Sequence, residues 1–135
     1  MTVVAYMDTS ALVKLVRSEQ ETPALRDWLS GPATPDVFVS SALARVELLR
    51  AVRRVDAELA ASAGAVLGAM HLLAVGEAVL GRAAEISPPS VRSLDAVHLA
   101  TAETVGSSLA AVVAYDRRLV EAARGLGLPV VSPGM

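Results

Sequence analysis

Four of the chain's 14 acidic residues sit where a solvated charge is least expected. Asp8 closes the apolar run Val3-Val4-Ala5-Tyr6-Met7, and Asp116 follows Val112-Val113-Ala114-Tyr115. Glu47 lies within the largely apolar stretch Ala42–Leu49, and Asp95 within Ser93–Ala100. Each has a plain alternative. Asp8 and Asp116 are good N-caps for a following helix. Asp95 in a first helical turn suits the helix dipole, and Glu47 can form a weak surface pair with Arg50. If gathered, the four carboxylates would repel and raise each other's pKa. A divalent cation relieves that repulsion. Oxygen-only ligands, without Cys or paired His, suit Mg²⁺ or Mn²⁺ rather than Zn²⁺. Such ions activate water and offset the charge that builds on a phosphodiester, in two-ion sites at about 3.5–4 Å separation.

Other residues bear on that chemistry. Ser10 could hydrogen-bond a metal-bound water or cap a helix. His98, one turn past Asp95, is read either as a phosphate contact or as a partly buried helix histidine. His71 has no evident partner. Arg45, Arg117 and Arg118 are candidate RNA contacts beside the acids. Arg50, Arg53 and Arg54 fit a solvated helix face equally well.

The elements that must position these residues alternate between strand and helix. Val3–Met7 and Leu109–Tyr115 read as strands buried on both faces. Val37–Val39, Leu72–Val75 and Pro129–Val131 are shorter strands. Helices are expected over Ser10–Arg17, Glu21–Leu29, Leu43–Arg54 with Ser40 or Ser41 as cap, Asp56–Met70, Glu77–Ile86, Leu94–Val105 and Arg117–Leu126. Gly106 and Gly127 close the last two. The alternation implies parallel crossovers and an α/β three-layer α/β/α sandwich with a mostly parallel sheet. Ligands of such sheets sit at the carboxyl ends of the strands, where Asp8 and Asp116 fall.

Composition narrows the classes. At 135 residues the chain fits one domain, spanning 1–135. It is 53% hydrophobic and 19% charged, so a disordered chain is excluded. Aromatics at 3% are too few for a base-stacking platform. A net charge of −2 argues against nonspecific coating of nucleic acid, though not against a nuclease. The absence of cysteine removes disulfides and thiolate chemistry. With no leader or membrane-spanning stretch recognisable, a soluble cytoplasmic protein is expected.

Taken jointly, these stretches resemble the PIN-domain proteins, and among them the VapC toxins of type II toxin–antitoxin systems. The match rests on Tyr6-Met7-Asp8-Thr9-Ser10-Ala11-Leu12-Val13-Lys14-Leu15, Ser40–Glu47, Leu94–Ala102, Tyr115-Asp116-Arg117-Arg118-Leu119 with Ala122-Ala123, and Gly127–Pro133. The resemblance implies a Mg²⁺- or Mn²⁺-dependent endoribonuclease that restrains translation and growth. It also implies a homodimer and a cognate VapB-type antitoxin. Asp8, Glu47, Asp95 and Asp116 fall on the family's acidic positions, and Ser10 on a hydroxyl position near the metal. Ala114 departs from the family, where Thr is frequent. The rival reading is a catalytically inactive PIN-fold module that binds a partner along its apolar helices. A phosphoacceptor receiver domain fits poorly, because it needs an acidic pair at the first strand and a late lysine. Here Lys14 is the sole lysine.

Overall fold

The computed structural model describes residues 2–135. Five parallel strands lie in the order β3-β2-β1-β4-β5. They are β1 (Val4–Met7), β2 (Val37–Ser41), β3 (His71–Leu73), β4 (Leu109–Val113) and β5 (Val130–Val131). Seven α-helices connect and cover them: α1 (Thr9–Val16), α2 (Thr22–Ser30), α3 (Leu43–Val55), α4 (Ala60–Gly68), α5 (Glu77–Glu85), α6 (Ser93–Glu103) and α7 (Arg117–Gly125). The expected α/β sandwich is the observed one.

Central β1 is buried along its whole length, as its unbroken apolar run predicts. Its side chains alternate between two cores. Val4 and Tyr6 join a cluster with Leu99, Leu119 and Ala123, beneath α6 and α7. Ala5 and Met7 join the opposite one with Leu12, Leu48 and Leu67, beneath α1, α3 and α4. Both faces of the sheet are thereby closed, and only the strand ends remain for ligands.

The elements differ from expectation mainly at their ends. β4 stops at Val113 rather than Tyr115, although the Ala114 N–H still donates to the Val131 carbonyl at 3.2 Å. The Asp56–Met70 segment divides into a 3₁₀ turn, Ala57–Leu59, and α4; Asp56 caps the turn by accepting from the Glu58 N–H at 2.9 Å. Ser40 does not cap α3. It lies within β2, one residue before its end, fully buried, and its hydroxyl donates to the Met7 carbonyl at 2.6 Å. Ser41 is the residue whose Oγ accepts from the Leu43 N–H, at 3.1 Å. Gly127, just past α7, has φ +78°, the left-handed conformation that glycine adopts cheaply at a helix end.

Candidate active site

Two parallel strands, β1 and β4, end side by side, and the chain turns from each into a helix. Asp8 and Asp116 stand at those turns as N-caps of α1 and α7. The Asp8 Oδ2 accepts from the Ser10 N–H at 3.1 Å and from the Ser10 hydroxyl at 2.6 Å. The Asp116 Oδ1 accepts from the Arg118 and Leu119 N–H groups at 2.9 and 3.3 Å. Capping therefore uses one oxygen of each carboxylate and turns the other toward the space between the strand ends, where a guanidinium takes that of Asp116. Ser10 also accepts the Tyr115 N–H at 2.9 Å, so one hydroxyl ties the tips of both strands together.

Helices α3 and α6 bring the other two acids. A cleft of about 350 Å³ is lined by Asp8, Glu47, Asp95 and Asp116, together with Ser10 and Arg92. All four acids singled out in the sequence meet there. Both hydrogen bonds to Glu47 fall on Oε1, from Thr9 Oγ1 at 2.8 Å and from His98 Nε2 at 2.5 Å. His98 is 2% exposed, more deeply set than a partly buried helix histidine. Its Nδ1 lies 2.6 Å from the Tyr6 hydroxyl, and its Nε2 is 3.8 Å from Asp8 Oδ1.

Charge in the cleft is unevenly compensated. Burial raises the Asp95 pKa; the nearby Asp116 and Asp8 raise it further, against the pull of Arg92. Burial disfavours the charged form of His98, yet its hydrogen bond to Glu47 and the charges of Asp8, Glu47 and Asp95 lift its pKa above the usual imidazole range. Burial opposes ionisation of Glu47 too, but His98 and Thr9 outweigh it and hold that carboxylate below its ordinary pKa.

Arg92, which nothing in the sequence pattern singled out, is the cation of the cleft. Its Nη2 donates to Asp116 Oδ2 at 2.9 Å and its Nε to Asp95 Oδ2 at 3.3 Å. This bridge joins residues 24 apart in the chain, so no local motif could announce it.

The acids have the chemistry of a hard-cation site: oxygen donors only, partly desolvated, with the Asp95 pKa raised by burial and by its acidic neighbours. Among the described residues no three acidic or imidazole side chains converge on a single point suited to an ion. Arg92 holds Asp95 and Asp116 as one pair, and His98 holds Glu47 toward Asp8. The donor set fits a divalent cation, and the positive charge it calls for is supplied here by a guanidinium.

The three arginines proposed as RNA contacts separate. Arg45 is exposed on α3 and does not border the acid cleft. Arg117 lines a different cavity with Tyr115 and Arg124. Arg118 lines a cavity that includes Arg92 and Asp95. No helix among the described residues is long and apolar enough to cross a membrane.

Residues 5–125 match the PIN domain model. The chain is 47% identical over 131 residues to Ribonuclease VapC35 of Mycobacterium tuberculosis, covering 96% of each chain. It is 43% identical to Ribonuclease VapC47 of the same organism, again over 131 residues and 96% of each chain. The crystal structure of M. tuberculosis VapC20, a toxin that cleaves the sarcin–ricin loop, superposes with a TM-score of 0.74 at 21% identity, covering 96% of this chain and 99% of that one.

Proposed function

The chain belongs to the PIN-domain family and to the VapC ribonucleases within it, and on that premise we propose that it is an endoribonuclease toxin whose active centre is Asp8, Glu47, Asp95 and Asp116. The observation that carries the assignment is the convergence of all four acids on one cleft at the carboxyl ends of β1 and β4.

In this reading Asp8, Asp95 and Asp116 hold Mg²⁺ or Mn²⁺, with Glu47 as a further ligand or as the group that orients water. When bound, the cation supplies Lewis-acid stabilisation of the charge that develops on the phosphodiester. The protein's own part is positional. Ser10 fixes one Asp8 oxygen, and the first turn of α7 fixes one Asp116 oxygen. His98 and Thr9 keep Glu47 ionised and immobile, so its carboxylate can accept a proton of the attacking water and aim its oxygen in line with the leaving group. Arg92 offsets the acids and stands ready for a phosphate oxygen.

Residues 1–135 form a single PIN domain acting in the cytoplasm, as a homodimer held in check by a VapB-type antitoxin. The apolar groove lined by Leu15, Leu29, Phe38, Val66 and Met70 supports such a partner, because an amphipathic segment can bury its apolar face there.

The test is cleavage of total bacterial RNA by the purified chain with Mg²⁺ or Mn²⁺, against EDTA and Asp8→Asn. Discrete fragments lost in both controls are expected. Near-normal cleavage by Asp8→Asn would overturn the site.

A further inference from the structure

A second cavity, of about 780 Å³, opens beside the acid cleft and shares Arg92 and Asp95 with it. One wall is the loop between α5 and α6, with Pro88 and Val91. The other is a single face of α7, where Arg118, Glu121, Ala122 and Gly125 follow the spacing of one helical stripe. Among the described residues neither Arg118 nor Glu121 has an ion-pair partner, while Arg92 reaches toward the acids.

We infer that this cavity is a nucleotide subsite, which receives the RNA residue adjoining the scissile phosphodiester with its base unstacked. The inference rests on the ribonuclease reading and adds to it the place where substrate is gripped. Three observations support it. The cavity's size falls within the range of small-ligand sites, roughly 300–1,000 Å³. It is continuous with the acid cleft through Arg92, so a nucleotide there leaves its phosphate beside Asp95 and Asp116. Its lining mixes the groups a nucleotide needs: the Arg118 guanidinium, with no ion-pair partner, for phosphate oxygens, beside the carboxylates of Asp95 and Glu121, and Pro88 and Val91 for the face of a base.

Glu121 adds a preference. A carboxylate accepts hydrogen bonds and donates none. The Watson–Crick edge of guanine offers two adjacent donors, N1–H and the 2-amino group, whereas uracil offers one donor between two acceptors. The subsite therefore favours guanine. None of the residues lining the cavity is aromatic, so stacking is weak and a free mononucleotide binds loosely.

Gly125 provides a clean probe. A Cβ there meets nothing within 4 Å, so a side chain enters open space. Phe at this helical position starts from an unobstructed Cβ on the cavity wall and projects its ring into the space a base would take. The experiment titrates guanosine monophosphate, uridine monophosphate and inorganic phosphate into the ¹⁵N-labelled full chain without divalent cation. It then measures RNA cleavage by Gly125→Phe and Arg118→Ala. Guanosine monophosphate should move the Val91, Arg92, Glu121 and Gly125 amides at lower concentration than uridine monophosphate, and Gly125→Phe should abolish those shifts. Both variants should raise KM about tenfold with kcat nearly unchanged. Shifts no greater than those of inorganic phosphate, or an unaltered KM in both variants, would overturn the subsite. Normal cleavage with no nucleotide shifts removes the subsite alone. Nucleotide shifts with no cleavage of any RNA keep the nucleotide site and remove the ribonuclease reading alone.

Discussion

Helix α1 carries a charged cluster at each end, and the two behave oppositely. At its start, Thr9 and Ser10 face the acid cleft. Near its end, Lys14 is buried and pairs with Glu19 at 3.2 Å and Glu21 at 3.0 Å, with its ammonium 4.6 Å from the centre of the Tyr115 ring. In the Lys14 cluster each partner favours the other's charge. Burial disfavours the ammonium, but Glu21 and Glu19 raise the Lys14 pKa, and Lys14 lowers that of Glu21. In the cleft the acids act against one another, and Asp95 moves up. A perturbed pKa alone marks both places. Asp95 separates them: Glu21 and Glu47, each held by a basic partner, move down, while Asp95 moves up because Arg92 does not offset its burial and its acidic neighbours.

The strongest way to break that contrast is to change one atom in the cleft. Asp116→Asn keeps an N-cap for α7, because Asn caps about as well as Asp. It should leave thermal stability nearly unchanged while lowering RNA cleavage by about a hundredfold or more. Asp116→Ala should lose the same activity and in addition about 1 kcal/mol of stability, from the lost cap. If Asn at this position cleaves normally, Asp116 is only a cap. Lys14→Met is the counterpart at the other end of α1. It should lower Tm by a few degrees in a thermal melt and leave the Tm rise produced by Mn²⁺ intact. Loss of that rise would mean that the Lys14 cluster belongs to the site.

What was legible beforehand follows the same division. Asp8 and Asp116 could be found because each ends an apolar run too continuous to be anything but a buried strand, and a parallel sheet sends strand ends to the ligand. Glu47 and Asp95 were not distinctive locally; helix surfaces and first turns carry acids routinely, and only the family's motifs picked them out. His98 had a weak signal, a spacing of three from Asp95 on one helix face. Its contact with Glu47 spans 51 residues and is purely tertiary. Arg92 and the pairing of Lys14 with Glu21 had no periodicity or motif to reveal them. Ser40 has the type and place of a cap, serine before a helix, yet the Met7 carbonyl at the end of the neighbouring strand claims its hydroxyl instead.

A smaller effect sharpens the picture of the cleft. Arg92 competes with any cation for Asp95 and Asp116. Arg92→Ala should tighten Mn²⁺ binding several-fold by calorimetry while weakening capture of RNA. Unchanged Mn²⁺ affinity would show that the guanidinium lies outside the space the ion needs.

The least intrusive comparison uses the chain's two tyrosines, one in each region. Burial raises the Tyr6 pKa well above 10, with Asp8 and then Glu47 adding to it across an opposing contribution from Ser40. Burial and Glu21 raise Tyr115 to about 12. In the unfolded chain both should ionise near 10. For a group whose folded pKa is raised, the stabilisation is complete below the unfolded value and is lost as pH climbs through the folded one. Stability should therefore fall from about pH 10 upward, and phenolate absorbance should stay absent at pH 10–11 while the fold holds. Near pH 12 Tyr115 should ionise. A divalent cation in the cleft offsets Asp8 and Glu47, so it should bring the Tyr6 transition down and leave that of Tyr115 where it was. Equal displacement of both would mean that the two ends of α1 share one electrostatic environment, and the contrast drawn between them would fail.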